Sequence, residues 1–296
     1  MVDKKVVGSF LSLARPATLV APVVGGFMFA MWGARVSGYG FSVYAIVISV
    51  VAGFIMACAN YVGNVLNQVG DKEIDAAHPV KRFRPIPSGR VTVEQAMSLA
   101  WVMTVAILAI AFSVSTVAGW ILSLILGFAY LYSLPPVRLR SRFILSNLAI
   151  GFPRGALGVL AAYGFFANPF ANQRLLFIAG VFAVYVFLCN TLKDFGDEEA
   201  DRMYGVRNFV TVLGRHWAAV ISYTGFLLPP FAVFVMPFSL TGVAILITVS
   251  SVAYSLLLFI AFRDFELRQY SGVAWLLFYG YYAGLMVAFV LPELVY

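Results

Sequence analysis

Charge is scarce in this 296-residue chain: only 11% of its residues are Asp, Glu, Lys or Arg, against 62% hydrophobic. So few polar side chains cannot cover a soluble globule, which leaves a membrane protein. Thiols and imidazoles are scarcer still. Cys58 and Cys189 both fall in apolar runs and read as small buried hydrophobes, and with only His78 and His216 beside them a Cys/His metal site lacks ligands. No Ser/Gly-rich linker or low-complexity tract divides the sequence, so residues 1–296 are read as one membrane-embedded domain. Alternating segments of about ten residues, the mark of a transmembrane barrel, do not occur. No small-residue cleavage site lies between Met1 and Arg15-Pro16, so the first apolar segment is expected to remain in the mature protein.

What the chain does have is length in its apolar runs. Nine of them, at 17–34, 42–66, 95–114, 116–133, 144–164, 174–192, 216–237, 241–262 and 273–292, approach the ~20 residues that cross ~30 Å of hydrocarbon. The expected fold class is all-α, a polytopic bundle of nine transmembrane helices around a central cavity. Charge placement gives the orientation. All of the 20 Lys and Arg except Arg35, Arg154 and Arg174 lie in the N-terminus or in the loops after even-numbered spans, and of the acidic residues only Glu293 does not. The positive-inside rule makes that face cytoplasmic. The expected location is therefore the cell membrane, with any site built on the acidic motifs near the cytoplasmic face. The net charge of +7 needs no nucleic acid, because anionic lipid headgroups and an anionic substrate account for it.

Two copies of one polar spacing stand at the ends of apolar runs. Asn64, Asn67, Asp71 and Asp75 form the first, and Asn190, Asp194, Asp197 and Asp201 the second, 126 residues later. In each, Asn is followed seven and eleven residues on by Asp, so each set would share one helix face if its helix continued through the motif. Internal duplication and coincidence both remain open. Oxygen ligands at this spacing suit a hard divalent cation. Magnesium fits best, since it binds through a few carboxylates and keeps water and phosphate oxygens in its shell. A solvated helix end would explain Asp71 and Asp75, but not Asn60, Asn64 and Asn67 continuing into the span. Glu198 and Glu199 read as solvated.

Basic residues follow both acidic sets: Lys81, Arg82, Arg84 and Arg90 after the first, Arg202 and Arg207 after the second. Metal, acidic helices and nearby cations together make a site for a diphosphate, although positive-inside topology alone also yields basic loops, Arg138, Arg140 and Arg142 included. Arg154 differs in lying well inside the fifth span, where a buried partner or an acceptor anion is expected. Rings crowd the last span at Trp275, Phe278, Tyr279, Tyr281 and Tyr282 and read as interfacial anchors or packing, with cavity lining as the alternative.

Four segments, in order, carry a family resemblance: Asn67-Gln-Val-Gly-Asp71-Lys-Glu-Ile-Asp75, Arg84-Pro-Ile-Pro-Ser-Gly89, Tyr132-Ser-Leu-Pro-Pro136, and Asp197-Glu-Glu-Ala-Asp201-Arg202 with Gly205 beyond. On a nine-span layout they resemble the UbiA superfamily of intramembrane prenyltransferases over essentially the whole chain. The resemblance implies transfer of a prenyl group from a polyprenyl diphosphate to a hydrophobic acceptor with magnesium as cofactor, Asn67, Asp71, Asp75, Asp197 and Asp201 holding the metals. Asn64, Arg84, Tyr132, Lys193, Asp194 and Arg202 are then expected at the diphosphate, and Asp71 and Asp197 are the carboxylates on which turnover depends. Gln68 departs from the pattern, standing where many members have Asp, and the link from Asp75 to Arg84 is longer than in some subfamilies.

The expected mechanism is magnesium-assisted ionisation, with ring faces such as Tyr61, Tyr132 or Phe195 near the allylic cation. Arg84-Pro-Ile-Pro-Ser-Gly-Arg90 with Lys193-Asp194 resembles archaeal digeranylgeranylglyceryl phosphate synthases, whereas Tyr132-Ser-Leu-Pro-Pro-Val-Arg-Leu-Arg140 resembles the chlorophyll and homogentisate branches. A geranylgeranyl donor and a lipid acceptor such as geranylgeranylglyceryl phosphate are the first expectation. An aromatic quinone precursor or chlorophyllide-type acceptor is the second, and a transporter is the alternative of another class.

Overall fold

The computed structural model describes residues 4–235, 244, 247, 248, 250–256 and 270–295. Every named element among them is helical: α1 (Lys4–Leu13), α2 (Val20–Val36), α3 (Val43–Gly70), α4 (Lys72–Ala77), α5 (Val93–Val114), α6 (Thr116–Ser133), α7 (Phe143–Gly151), α8 (Gly158–Tyr163), α9 (Gln173–Cys189), α10 (Glu198–Met203), α11 (Phe209–Val235) and α12 (Tyr270–Val295). A π-helical segment, Phe152–Leu157, joins α7 to α8. Seven stretches among the described residues are long and apolar enough to cross a membrane: Pro16–Val36, Val43–Gly70, Val93–Val114, Thr116–Ser133, Phe143–Tyr163, Gln173–Asp194 and Leu277–Val295. Of the other two expected spans, 216–237 falls mainly on α11, and 241–262 lies mostly outside the described residues.

Short polar side chains set the helix starts. Ser42, Ser115 and Asn172 each accept a hydrogen bond from a free first-turn amide, and Thr92 with Gln95 completes a reciprocal capping box. Small residues set how closely the helices approach. A Cβ on Gly26 would lie 2.7 Å from Gly53 Cα, which brings the α2 and α3 backbones together. Similarly, a Cβ on Gly155 would lie 2.5 Å from Ala183 Cα, seating the π segment on α9. α12 closes against α2 and α9 against α11, while α4, just past α3, meets α10, past α9, so the two acidic motifs come to the same end of the bundle.

Candidate active site

The first acidic motif sits where α3 stops. Gly70 is the last α3 residue, Asp71 has a non-helical φ of −102°, and α4 restarts at Lys72. The condition of a helix continuing through the motif is thus not met, yet the ladder carries across the break: Asp71 N–H donates to Asn67 O at 2.9 Å and Asp75 N–H to Asp71 O at 2.7 Å. The second motif departs further from one helix face. Past α9 the chain tightens into a 3-10 turn over Asn190–Asp194 and re-forms a helix only at α10, with Asp197 N–H on Asp194 O at 3.1 Å and Asp201 N–H on Asp197 O at 2.8 Å. Closely spaced Asp side chains compete with the backbone for hydrogen bonds there, and Gly196 adds backbone freedom.

Arg140 joins the two motifs. It lies in the 3-10 turn Leu139–Ser141 beyond α6, is 7% exposed, and donates to Asp71 and, at 3.2 Å, to Asp201 Oδ1. Every other motif carboxylate has a cation too: Lys81 on Asp197, Arg84 Nη1 at 2.7 Å from Asp75 Oδ2, and Lys193 Nζ at 3.9 Å from Asp194 Oδ1. Arg138 adds bonds to Gly70 O at 2.9 Å and Asp71 at 3.3 Å, from a strained left-handed backbone at φ 39°. Amides complete the set, with Asn67 Nδ2 donating to Asp71 Oδ2 at 2.6 Å and Asn208 Nδ2 to Asp201 Oδ2 at 2.8 Å.

These pairings divide the ionisation of otherwise similar carboxyls. Burial works against charge on Asp197, but the Lys81 ammonium outweighs it and holds the carboxyl below its ordinary range. At Asp201 burial wins over Arg140 and pushes the carboxyl up to about 7. Arg140 is buried as well, yet Asp71 and Asp201 more than offset that and hold it charged.

A polar cavity of about 730 Å³ is lined by Asn67, Asp71, Lys81, Arg84, Arg140, Asp194 and Asp197. A second, apolar cavity runs between α2, α3, α6, the π segment and α12, with Phe29, Phe128 and Met286 on its wall. Arg15, Asn67, Tyr132 and Lys193 line both. At this junction the Lys193 ammonium donates to the Tyr132 hydroxyl and sits 5.0 Å from that ring's centroid.

Asn67, Asp71, Asp197, Arg84, Tyr132, Lys193 and Asp194 are thereby brought to one cavity. Asp75 and Asp201 are not on the cavity wall but behind it, held by Arg84 and by Arg140 with Asn208. Asn64 lines the apolar cavity and donates to Ala14 O at 2.8 Å and Thr18 Oγ1 at 3.0 Å, which fixes the N-terminal segment. Arg202 faces away from both cavities, on Glu198 at 3.1 Å; Glu198 also pairs with Arg215 and so is not simply solvated. Tyr61 donates to Phe10 O at 2.9 Å, and Phe195 packs on the cluster of Phe209, Val210 and Ala218, so of the three expected rings only Tyr132 meets the junction. Phe278, Tyr279 and Tyr282 line the apolar cavity rather than an interface, Tyr281 packs on Phe226, and the Trp275 side chain lies outside the described residues.

Arg15 was not legible as a site residue. It precedes a span in an ordinary Arg-Pro pair, but Asn64 draws its segment under α3, its backbone is left-handed at φ 49°, and its buried Nε has no hydrogen-bond partner among the described residues. Burial and the neighbouring Arg84 lower its guanidinium to about 10 against the pull of Asp75, Asp71 and Asp197. Arg140 carried only the ambiguous signal of a basic loop.

The donor set suits magnesium. It is all oxygen, and Asp194 Oδ2 is buried without a hydrogen-bond partner. Among the described residues no three His, Cys, Asp or Glu converge, so a cation here would complete its shell from water and phosphate oxygens, as magnesium does.

Known proteins resemble this chain in sequence and in fold. It is 26% identical over 223 residues to digeranylgeranylglyceryl phosphate synthase of Methanobrevibacter smithii, covering 72% of each chain. It is 25% identical over 248 residues to the bacteriochlorophyll synthase 34 kDa chain of Chloroflexus aurantiacus, covering 82% of this chain and 78% of that one. In fold it matches a UbiA homolog from Archaeoglobus fulgidus bound to GPP and Mg2+ with a TM-score of 0.68 over 97% of this chain and 100% of that one; at 15% identity this likeness speaks to the fold alone. Residues 26–281 match the UbiA prenyltransferase family, and the chain belongs to it.

Proposed function

We propose that this prenyltransferase moves a geranylgeranyl group from its diphosphate to a lipid acceptor such as geranylgeranylglyceryl phosphate, with magnesium as cofactor. The whole chain acts as one domain of nine spans around a central cavity in the cell membrane, its active site near the cytoplasmic face. The observation that carries the reading is a polar, cation-rich cavity and an apolar cavity meeting at Arg15, Asn67, Tyr132 and Lys193. An amphipathic donor needs both: cations for the diphosphate and hydrocarbon walls for the tail.

Asn67, Asp71, Asp75, Asp197 and Asp201 are the residues that would hold magnesium. Bound magnesium supplies charge neutralisation to the leaving diphosphate. Arg15, Lys81, Arg84, Arg140 and Lys193 hold the diphosphate oxygens and stabilise the charge that develops as the allylic C–O bond lengthens. Tyr132 presents its ring at the junction, where an allylic cation forms, and the apolar wall keeps out water that would otherwise capture that cation as an alcohol. The lipid acceptor is supported by the likeness to the Methanobrevibacter smithii synthase over 72% of each chain.

Magnesium-dependent release of pyrophosphate from geranylgeranyl diphosphate by the purified protein tests this, with geranylgeranylglyceryl phosphate and homogentisate offered in parallel. Release with a prenylated lipid product is expected. Release with homogentisate alone moves the protein to aromatic acceptors, and no magnesium-dependent binding of the diphosphate refutes the site.

A further inference from the structure

Midway along the span Phe143–Tyr163 the π segment turns Arg154 onto the wall of the apolar cavity. Its guanidinium makes one hydrogen bond among the described residues, Nη1 to the Tyr279 hydroxyl at 3.3 Å, while the Tyr282 hydroxyl donates to its carbonyl at 2.7 Å. No carboxylate among the described residues pairs with it. An arginine has five N–H donors, and a cation at this depth without a counter-charge is costly. On the same cavity stands Asn190, only 1% exposed, with neither Oδ1 nor Nδ2 partnered among the described residues. A buried amide with all its hydrogen-bonding capacity unmet is rare, and two such polar groups facing one apolar cavity call for an occupant with oxygens.

The prenyl donor does not supply it. Its diphosphate belongs with the cations of the polar cavity, and its tail is hydrocarbon. The oxygens must come from the second substrate. Asn190 lies one turn before Lys193, which lines both cavities, so a group held there adjoins the junction. We infer that Arg154 and Asn190 form the head-group subsite of the acceptor and that they select an acceptor carrying an anionic oxygen group over its neutral counterpart. The inference rests on the prenyl-transfer reading, and a lipid phosphate or an aromatic carboxylate satisfies it equally in chemistry.

The test is the affinity of the purified full-length protein for two matched pairs, geranylgeranylglyceryl phosphate against geranylgeranylglycerol and homogentisate against its methyl ester. The expected result is a preference of about tenfold or more for the charged member of one pair, falling below about threefold in Arg154→Gln and partly kept in Arg154→Lys. Asn190→Leu should weaken both members of that pair alike. Affinity for geranylgeranyl diphosphate should change by less than about threefold in each variant, which also reports a folded protein. Absence of a charge preference in both pairs, an unchanged preference in Arg154→Gln, or an equal loss of donor binding would overturn the assignment. Which pair shows the preference tells the two sources apart. Charge-selective binding of the lipid that Arg154→Gln abolishes, but without prenylated product, would sink the lipid-transfer reading and leave the subsite standing.

Discussion

Arg140 connects carboxylates that lie 69 and 61 residues from it in sequence, and its guanidinium is the one group bonded to both acidic motifs among the described residues. Removing one partner from a buried ion pair typically costs about 3–5 kcal/mol, because the remaining charge stays buried. Arg140→Met should therefore lower the melting temperature in detergent and abolish pyrophosphate release together. Arg140→Lys should restore part of the stability but little of the turnover, since a point charge does not span two carboxylates as a planar fork does. Asp71→Asn and Asp197→Asn should each cost at least about 100-fold in turnover, the scale on which a preorganised electrostatic group acts, while circular dichroism stays helical. Near-normal rates in either variant would remove the role given to that carboxylate. Asp201 has a different signature. Its carboxyl sits at about 7 in the fold, above the ordinary value in an unfolded chain, so the native state binds the extra proton between those values. Its contribution to stability is present at acid pH and is lost as pH rises through about 7. In ligand-free protein the stability of wild type relative to Asp201→Asn should fall across that interval, and a flat difference would show that Asp201 is not held protonated.

Helix ends, more than helix bodies, build the site. A Cβ on Gly70 would lie 2.2 Å from Ser133 O, so the α3 and α6 termini touch through a missing side chain, and that contact sets Asp71 beside Arg138 and Arg140. Gly70→Ala should separate the two ends, cost roughly 1–3 kcal/mol as overpacking does, and reduce magnesium-dependent turnover more than it reduces helix content. The apolar bodies of these helices are plain in the sequence because each is a run long enough to span a bilayer, and the Ser, Thr and Asn caps mark where several begin. The interruptions are less plain. The break at Asp71, the 3-10 turn at Asn190–Asp194 and the π segment at Phe152–Leu157 all replace what reads as continuous helix. Pro153 gives a hint of the last, since a residue without an N–H disturbs the ladder, but the register it leaves depends on α9 packing against it.

The molecule's charges separate by end. Opposite the acidic motifs, the charged residues that stand off the common face, Arg154 excepted, come together: Arg174 Nη1 lies 2.7 Å from Glu293 Oε1, and Arg35 donates to the Leu294 carbonyl. They tie α2, α9 and α12 at the end remote from the site. Glu293→Gln should lower the melting temperature by a few degrees without altering affinity for geranylgeranyl diphosphate; a change in that affinity would mean the two ends are coupled. The sequence by itself determined the membrane-spanning helical character, the asymmetry of charge and the pair of acidic spacings, because each of these is a property of neighbours along the chain. Only the tertiary structure decided which cation meets which carboxylate, that Arg15 and Arg140 line the polar cavity, that Arg202 does not, and that Arg154 shares a cavity with Asn190. Most of those partners are tens of residues apart, and close helix packing through Gly26, Gly70 and Gly155 is what brings them into contact.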